Sequence, residues 1–184
     1  MIPDASSPVS QYISFIIAGD VYAVNILRTR EIVEHSVISR VPRMPACIVG
    51  AMNLRGRVVP VIDLAIMLGL PPTKVSRWTC ILIVETDLDG ESTRLGLLID
   101  AVGDVLTLSE DQIEPAPTFG MQVRMDQLLG VAKVGEKLVL LLNIDHILSP
   151  AELLGSTDLG PSAPGAPPAL PGSHGAPAGE GDRP

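Results

Sequence analysis

Apolar residues fall in short runs along this chain, each closed by a turn-forming pair, which is the spacing of strands joined by hairpins. Tyr12-Ile13-Ser14-Phe15-Ile16-Ile17 is rich in β-branched and aromatic residues, stops at Gly19-Asp20 and resumes as Val21-Tyr22-Ala23-Val24. Asn25 has the chemistry to cap one or two helical turns over residues 26–30, after which Glu31-Ile32-Val33-Glu34 reads as extended. Pro42 and Pro45 mark a loop around Met44. Residues 48–54 and 57–62 are strand candidates turned at Arg55-Gly56, and Asp63 stands where it can cap a short helix over 64–68, closed by Gly69 and Pro71-Pro72. Residues 79–85 and 92–99 form a hairpin across Asp87-Leu88-Asp89-Gly90. Residues 102–108, 129–133 and 138–142 complete about ten strands with few, short helices, a mainly β chain.

The pattern repeats. A shift of 80 residues lays Gly50 on Gly130, Arg57 on Lys137, Val61-Ile62 on Leu141-Leu142, Asp63 on Asn143 and Leu68 on Leu148 without a gap. A shift of 75 lays Val24-Asn25 on Ile99-Asp100 and Ile38 with Pro42 on Ile113 with Pro117. After a two-residue change of offset, Glu31-Ile32-Val33 falls on Asp104-Val105-Leu106. The ordered recurrence of caps, prolines and glycines predicts two similar β lobes of about 70 residues each that share one core.

Composition sets the limits of the folded body. Residues 10–154 carry the mixed apolar and polar pattern of one domain, residues 1–9 read as a flexible lead, and residues 156–184 hold seven prolines and six glycines. The stretch 155–184 is therefore expected to be a disordered tail, without function or acting as a tether. Cys47 and Cys80 each sit among apolar neighbours with no C-x-x-C spacing, which reads as buried reduced thiols and a reducing cytoplasm. The start of the chain lacks a signal-peptide pattern, and no apolar run approaches the ~20 residues of a membrane span, so no direct membrane insertion is expected. Met1 close to the folded body favours a self-standing protein over a module cut from a larger kinase.

The net charge of −8 is unevenly spread: residues 1–77 hold eight Lys/Arg against five Asp/Glu, and residues 78–184 five against sixteen. Together with only five aromatics, this argues against nucleic acid as a partner and leaves an acidic protein as one the first half could steer. No cofactor or metal is implied: His35, His146 and His174 lie at no ligand spacing, and there is no nucleophile elbow, Walker loop or dinucleotide fingerprint. Asp63, Asp100 and Asp145 each follow an apolar run and read as caps or first-turn acids, not phospho-acceptors. Asp87, Asp89 and Glu91 read as a solvated hairpin tip, not half a calcium loop. What remains is Asn53-Leu54-Arg55-Gly56-Arg57, either a solvated bend or a rigid turn that offers Arg55 to a partner's carboxylate or carbonyls.

Tyr22-Ala23-Val24-Asn25-Ile26-Leu27-Arg28-Thr29-Arg30-Glu31-Ile32, then Arg40-Val41-Pro42, then Gly50-Ala51-Met52-Asn53-Leu54-Arg55-Gly56-Arg57-Val58-Val59-Pro60-Val61-Ile62-Asp63-Leu64 resembles the CheW family of bacterial chemotaxis coupling proteins. Gly96-Leu97-Leu98-Ile99-Asp100-Ala101-Val102, Ile113-Glu114-Pro115-Ala116-Pro117 and Gly130-Val131-Ala132-Lys133 extend the likeness over about residues 10–154. The resemblance implies two intertwined five-stranded SH3-like β-barrel lobes with a few short helices. It also implies a non-enzymatic adaptor, cytoplasmic and recruited to membrane receptor arrays. The partners implied are the regulatory domain of the histidine kinase CheA and the cytoplasmic tip of methyl-accepting chemoreceptors. An adaptor of the same fold in another chemosensory pathway, such as gliding motility or gene control, is the alternative.

Carried over by position, Arg55, Glu31, Thr29 and Ile81 would face the receptor, with Ile81 lining an inter-lobe groove. Ile32, Val41, Gly50 and Phe119 would meet the kinase, although Phe119 also reads as an ordinary core phenylalanine. Glu114 stands where some members of the family are basic, and the Pro/Gly tail is outside their pattern.

Overall fold

The computed structural model describes residues 8–116 and 124–155. Its first hairpin is β1 (Val9–Ile17) and β2 (Asp20–Asn25). The Asn25 side-chain oxygen accepts the Leu27 N–H at 2.9 Å and fixes a single 3-10 turn, Ile26–Arg28. The turn is shorter than the helix expected there, because Thr29 already pairs with Val84 as the first residue of β3 (Thr29–Glu34). β4 (Ile48–Leu54) and β5 (Arg57–Asp63) form the hairpin across Arg55-Gly56, followed by α1 (Leu64–Met67). Asp63 caps α1 as expected: its buried carboxylate accepts the Ala65 N–H at 3.0 Å and the Thr73 N–H and hydroxyl at 2.9 Å each. β6 (Cys80–Leu88) and β7 (Glu91–Ile99) form the long hairpin across Asp89-Gly90. The rest are β8 (Ala101–Ser109), β9 (Ile113–Glu114), β10 (Leu128–Val134), β11 (Lys137–Leu142), α2 (Ile144–Ile147) and α3 (Pro150–Gly155).

Two sheets result, ordered β3-β6-β7-β5-β4 and β8-β1-β2-β11-β10-β9, each the wall of a small SH3-like lobe. The lobes are not consecutive halves of the chain but intertwined, as the family resemblance implies. β2 pairs in parallel with β11 from Val21↔Val139 to Ala23↔Leu141, so the N-terminal hairpin joins the C-terminal strands. β5 and β7 make the equivalent parallel pair in the first lobe, from Val61↔Gly96 to Asp63↔Leu98. One strand plan is thus used twice with a circular shift, beginning once at β3 and once at β8.

The pairings account for the repeat residue by residue. The Asp63 N–H donates to the Cys47 carbonyl at 2.7 Å, and the Asn143 N–H to the Gln127 carbonyl at 2.8 Å. The bridge Ser39↔Ala51 matches the pair Glu114↔Val131. That pair belongs to the two-residue β9, which gives the second lobe its sixth strand. The change of offset after Asn25 is the 3-10 turn, since Asp100 leads directly into β8.

Apolar side chains separate into three clusters. Met52, Val59, Val61, Ile81, Ile83 and Leu98 fill the first lobe, and Tyr12, Ala23, Leu108, Ala132, Val139 and Leu141 the second. A larger cluster between the lobes takes Phe15, Ile17 and Tyr22 from one side and Leu82, Val84, Leu97 and Ile99 from the other. β6 therefore buries both faces, Ile81 and Ile83 inward and Leu82 and Val84 towards the shared core. That double burial is why it reads as an unbroken apolar run with no alternation. Burial, with Asp20 adding to it, pushes the Tyr22 hydroxyl up to about 12. Cys47 and Cys80 are free and buried, and burial raises the Cys80 thiol.

Polar ties cross between the lobes. Asn143 caps α2, accepting the His146 N–H at 3.3 Å. Asp145, expected as a cap or first-turn acid, lies in that first turn but spends its oxygens elsewhere: one meets Arg28 Nη2 at 2.5 Å, the other accepts from Thr86 Oγ1 at 3.0 Å. Asp100 caps no helix, a correction to the expected role: it accepts the Ala18 N–H at 2.8 Å and braces the neighbouring hairpin turn. The buried Gln127 donates from Nε2 to the Met67 carbonyl at 3.1 Å.

Candidate partner-binding site

Arg55 and Gly56 occupy the two central positions of a two-residue hairpin loop, with φ of 52° and 82°. Positive φ at both positions twists the loop to match the strands, and it suits glycine, asparagine or aspartate. An arginine there is strained by about 1 kcal/mol. The second lobe places Gly135, φ 62°, at the position 80 residues on. Ala18 and Asp89 take φ of 51° and 56° just before Gly19 and Gly90, so the chain accepts a side chain at this turn position, and Arg55 is set apart by its charge and its partner.

Two contacts hold the arginine in place. Asn53 Oδ1 accepts the Gly56 N–H at 2.8 Å and braces the turn, as Asp87 Oδ1 does for the Gly90 N–H at 2.8 Å. Arg55 Nη2 donates to Glu31 Oε2 at 2.8 Å, across 24 residues of sequence. The Arg55 side chain is 80% exposed and Glu31 25%, so the pair adds little stability, ~0–1 kcal/mol, and mainly orients the guanidinium. The remaining guanidinium nitrogens face solvent, an open donor edge for carboxylate or carbonyl oxygens.

Beside Glu31, β3 is pinned by its other face. Arg30 donates to Glu85 in bidentate fashion, Nε at 2.8 Å and Nη2 at 3.0 Å, and Ser92 Oγ and Arg94 Nε reach the same carboxylate at 2.6 and 3.5 Å. Arg30 first, then Ser92, draw the Glu85 carboxyl down to about 2. A carboxyl lower in the folded than in the unfolded state stabilises fully above its ordinary value of 4.5 and loses that contribution as pH falls towards 2. Glu85→Gln is therefore expected to lower Tm at neutral pH, with the gap to the parent closing between those limits; a gap independent of pH in thermal melts would contradict the pairing.

The other positions divide clearly. Thr29 opens β3 half-buried, its Oγ1 enclosed and without a hydrogen-bond partner among the described residues. Ile32, 39% exposed, lies on the opposite face of β3 from Glu31, and Val41 is 43% exposed on the loop that follows. Gly50 is buried: a Cβ there would stand 2.3 Å from the Ser39 carbonyl oxygen, so close backbone approach accounts for the glycine. Ile81 does not line an inter-lobe groove. It is fully buried inside the first lobe because its side chain points to the barrel face of β6, a correction to the expected placement. Phe119 lies outside the described residues.

An open groove of about 440 Å³ does run along the lobe junction, lined by Asn25, Leu27, Arg28, Leu129 and Asn143 among others, with Leu27 and Leu129 exposed. Arg55 is not in its wall. Sequence reasoning singled out the turn that begins at Asn53 but not the brace Asn53 supplies, and it missed Arg30 and Glu85. Asn53 was legible in principle, because asparagine three residues before glycine is a turn brace. Glu85 was not, since its partners come from two other strands, β3 and β7.

The tertiary structure also brings Asp126, His146 and Glu152 together, with one ligand atom from each within 4.8 Å of the others. Arg124 already bonds both carboxylates, so the cluster is an ion-paired tie between α2, α3 and the turn before β10.

Two interlocked SH3-like lobes with a braced cationic turn at the end of one define a small β-barrel scaffold. The chain belongs to the CheW-like domain family, whose profile matches residues 11–152. It is 30% identical over 143 residues to the chemotaxis protein CheW of Klebsiella aerogenes, covering 78% of this chain and 84% of that protein. It is 33% identical over 132 residues to that of Bacillus subtilis, covering 72% and 80%. The crystal structure of the scaffolding protein TtCheW from Thermoanaerobacter tengcongensis superposes with a TM-score of 0.67 at 30% identity, covering 75% of this chain and 86% of that one. Among the described residues no helix is long and apolar enough to cross a membrane.

Proposed function

We propose that the chain is a non-catalytic adaptor that couples chemoreceptors to the histidine kinase CheA in chemotaxis-type signalling arrays. It would contact the kinase's regulatory domain and the cytoplasmic tip of methyl-accepting receptors, working in the cytoplasm and recruited to membrane arrays. The observation that carries the site assignment is the braced turn that holds an exposed Arg55 against Glu31 with its other donors open. On this reading Arg55, Glu31 and Thr29 form the receptor-facing set. Ile32 and Val41 supply exposed apolar area to the kinase, and Phe119 supplies an aromatic anchor. Gly50 serves that patch indirectly, by letting the Val41 segment lie close against β4.

Reconstitution with the cognate kinase and a receptor fragment tests this, reading receptor-stimulated autophosphorylation. Stimulation is expected to require the protein, and full stimulation without it would sink the coupling role. Arg55→Ala is expected to raise the receptor concentration for half-maximal stimulation about 10- to 30-fold, as for a central arginine hot spot, with kinase binding nearly unchanged. Arg55→Gly should lose the same coupling while folding slightly more stably, since it removes the strain. Equal loss of kinase and receptor binding, or no loss, would remove Arg55 from the receptor site.

A further inference from the structure

Strand pairing matches the two lobes position by position. Ser14 stands opposite Ala23 as Ile83 stands opposite Gly96, and Val105 stands opposite Ile13 as Ile32 stands opposite Leu82. Ser14 thus takes the place of Ile83, Ile16 that of Glu85, Val21 that of Arg94 and Gly103 that of Arg30. In the first lobe these positions are filled: Ile83 is fully buried inside the barrel, and Glu85 ties Arg30 to Arg94 two residues further along the strand. In the second lobe they hold a serine, a glycine and two uncharged apolar residues.

The consequence is a cavity of about 240 Å³ in the second lobe, open at one side and walled by Ile16, Val21, Leu106, Val134 and Val139. The groove over the matching part of the first lobe is lined by Arg57, Glu85 and Arg94 among others, and it does not reach Val33 or Leu54, the counterparts of Leu106 and Val134. Three polar residues, Ser14, Asp104 and Lys137, complete the wall of the second-lobe cavity. Ser14 is 5% exposed, and its hydroxyl donates to the Asp104 carbonyl at 2.8 Å, which leaves the oxygen's lone pairs to accept. The hydroxyl has room only because residue 103 is glycine: a Cβ there would stand 2.4 Å from Ser14 Oγ. A buried hydroxyl also gives up the apolar burial that isoleucine keeps in the other lobe. Neither Asp104 nor Lys137 forms an ion pair among the described residues.

An apolar wall with acceptors at Ser14 and Asp104 and an ammonium at Lys137 is complementary to a small molecule that carries an apolar group, a cationic donor and a carboxylate. An apolar α-amino acid has all three. Size agrees, because an apolar cavity of about 150 Å³ already accepts benzene.

We propose that this cavity binds an apolar α-amino acid of the size of leucine. Its side chain lies against Leu106, Val134 and Val139, its ammonium meets Ser14 Oγ and the Asp104 carboxylate, and its carboxylate meets Lys137. The site is built from the lobe that does not carry Arg55, and the proposal does not rest on the adaptor role.

Two-dimensional NMR titration of the whole chain tests this, following the amide signals of Ser14 and Gly103. The probes are L-leucine, isoamylamine, which lacks the carboxylate, and isocaproate, which lacks the ammonium. Leucine is expected to bind with a Kd of about 0.1–1 mM, the range open to so small a ligand, and each truncated probe about 10-fold more weakly. Lys137→Gln is expected to weaken leucine about 10-fold and to leave isoamylamine unchanged, because the group that Lys137 would meet is missing from that probe. Ser14→Ile, which restores the side chain of the first lobe, is expected to abolish binding. Absence of a leucine-dependent shift at either amide up to about 10 mM would overturn the proposal, being ten times the weakest expected Kd. An equal loss of leucine and isoamylamine in Lys137→Gln would also overturn it, by showing that Lys137 does not read the carboxylate.

Discussion

Phe15→Ala is expected to lower the free energy of unfolding by about 3–5 kcal/mol, the usual cost of emptying a fully buried phenylalanine site. Phe15 is 0% exposed and packs on Tyr22 with ring centroids 6.3 Å apart at 19°. It belongs to the cluster that both lobes share, so the cavity opens at their junction and not inside either barrel. A domain of this size has about 5–15 kcal/mol in total, so the variant is close to the margin. The shared core also predicts how it fails: both lobes should unfold together, in one urea transition at a lower midpoint with the m-value kept. Two separated transitions, followed by far-UV circular dichroism, would show that the lobes are independent and that the shared cluster does not join them.

Gly50→Ala and Gly130→Ala are expected to destabilise the protein by about 1–3 kcal/mol each, as overpacking does in a tight interior. At Gly50 the new methyl would stand 2.3 Å from the Ser39 carbonyl oxygen, and at Gly130 2.7 Å from that of Glu114. In the first lobe the displaced strand is the one whose two bonds, Ser39 N–H to the Ala51 carbonyl and Ala51 N–H to the Ser39 carbonyl, measure 2.8 and 2.9 Å. Gly155→Ala is the control, because nothing lies within 4 Å of a Cβ there, and it should be neutral in the same melts. If Gly50→Ala were as stable as the parent, close backbone approach could not be the reason for the glycine. Its place in the kinase patch would then need a direct contact.

Much of the site was legible because its parts are local. Asn53-Leu54-Arg55-Gly56 announces a hairpin turn, since glycine and asparagine have conformational uses that do not depend on distant residues. That Arg55 itself takes positive φ was not legible, because the sequence supplied only Gly56 as the residue suited to it. The Glu31 partner was named only through family likeness. β3 and β4 stand at opposite edges of one sheet, and nothing in the intervening loop's composition says that its ends come together. Ile81 was misplaced for a related reason: in a run buried on both faces, periodicity cannot tell barrel interior from lobe junction.

The sequence by itself determined the strands, their hairpin turns, the caps Asn25, Asp63 and Asn143, and the twofold repetition, all set by residues within a few positions of one another. Only the tertiary structure decided that β1 and β2 complete the C-terminal lobe, that Asp145 ties Arg28 to Thr86, and that Arg55 closes on Glu31. Parallel pairing and inter-lobe contacts are chosen by how the whole chain crosses over, and a crossover leaves no mark on the residues it joins beyond their being apolar or charged.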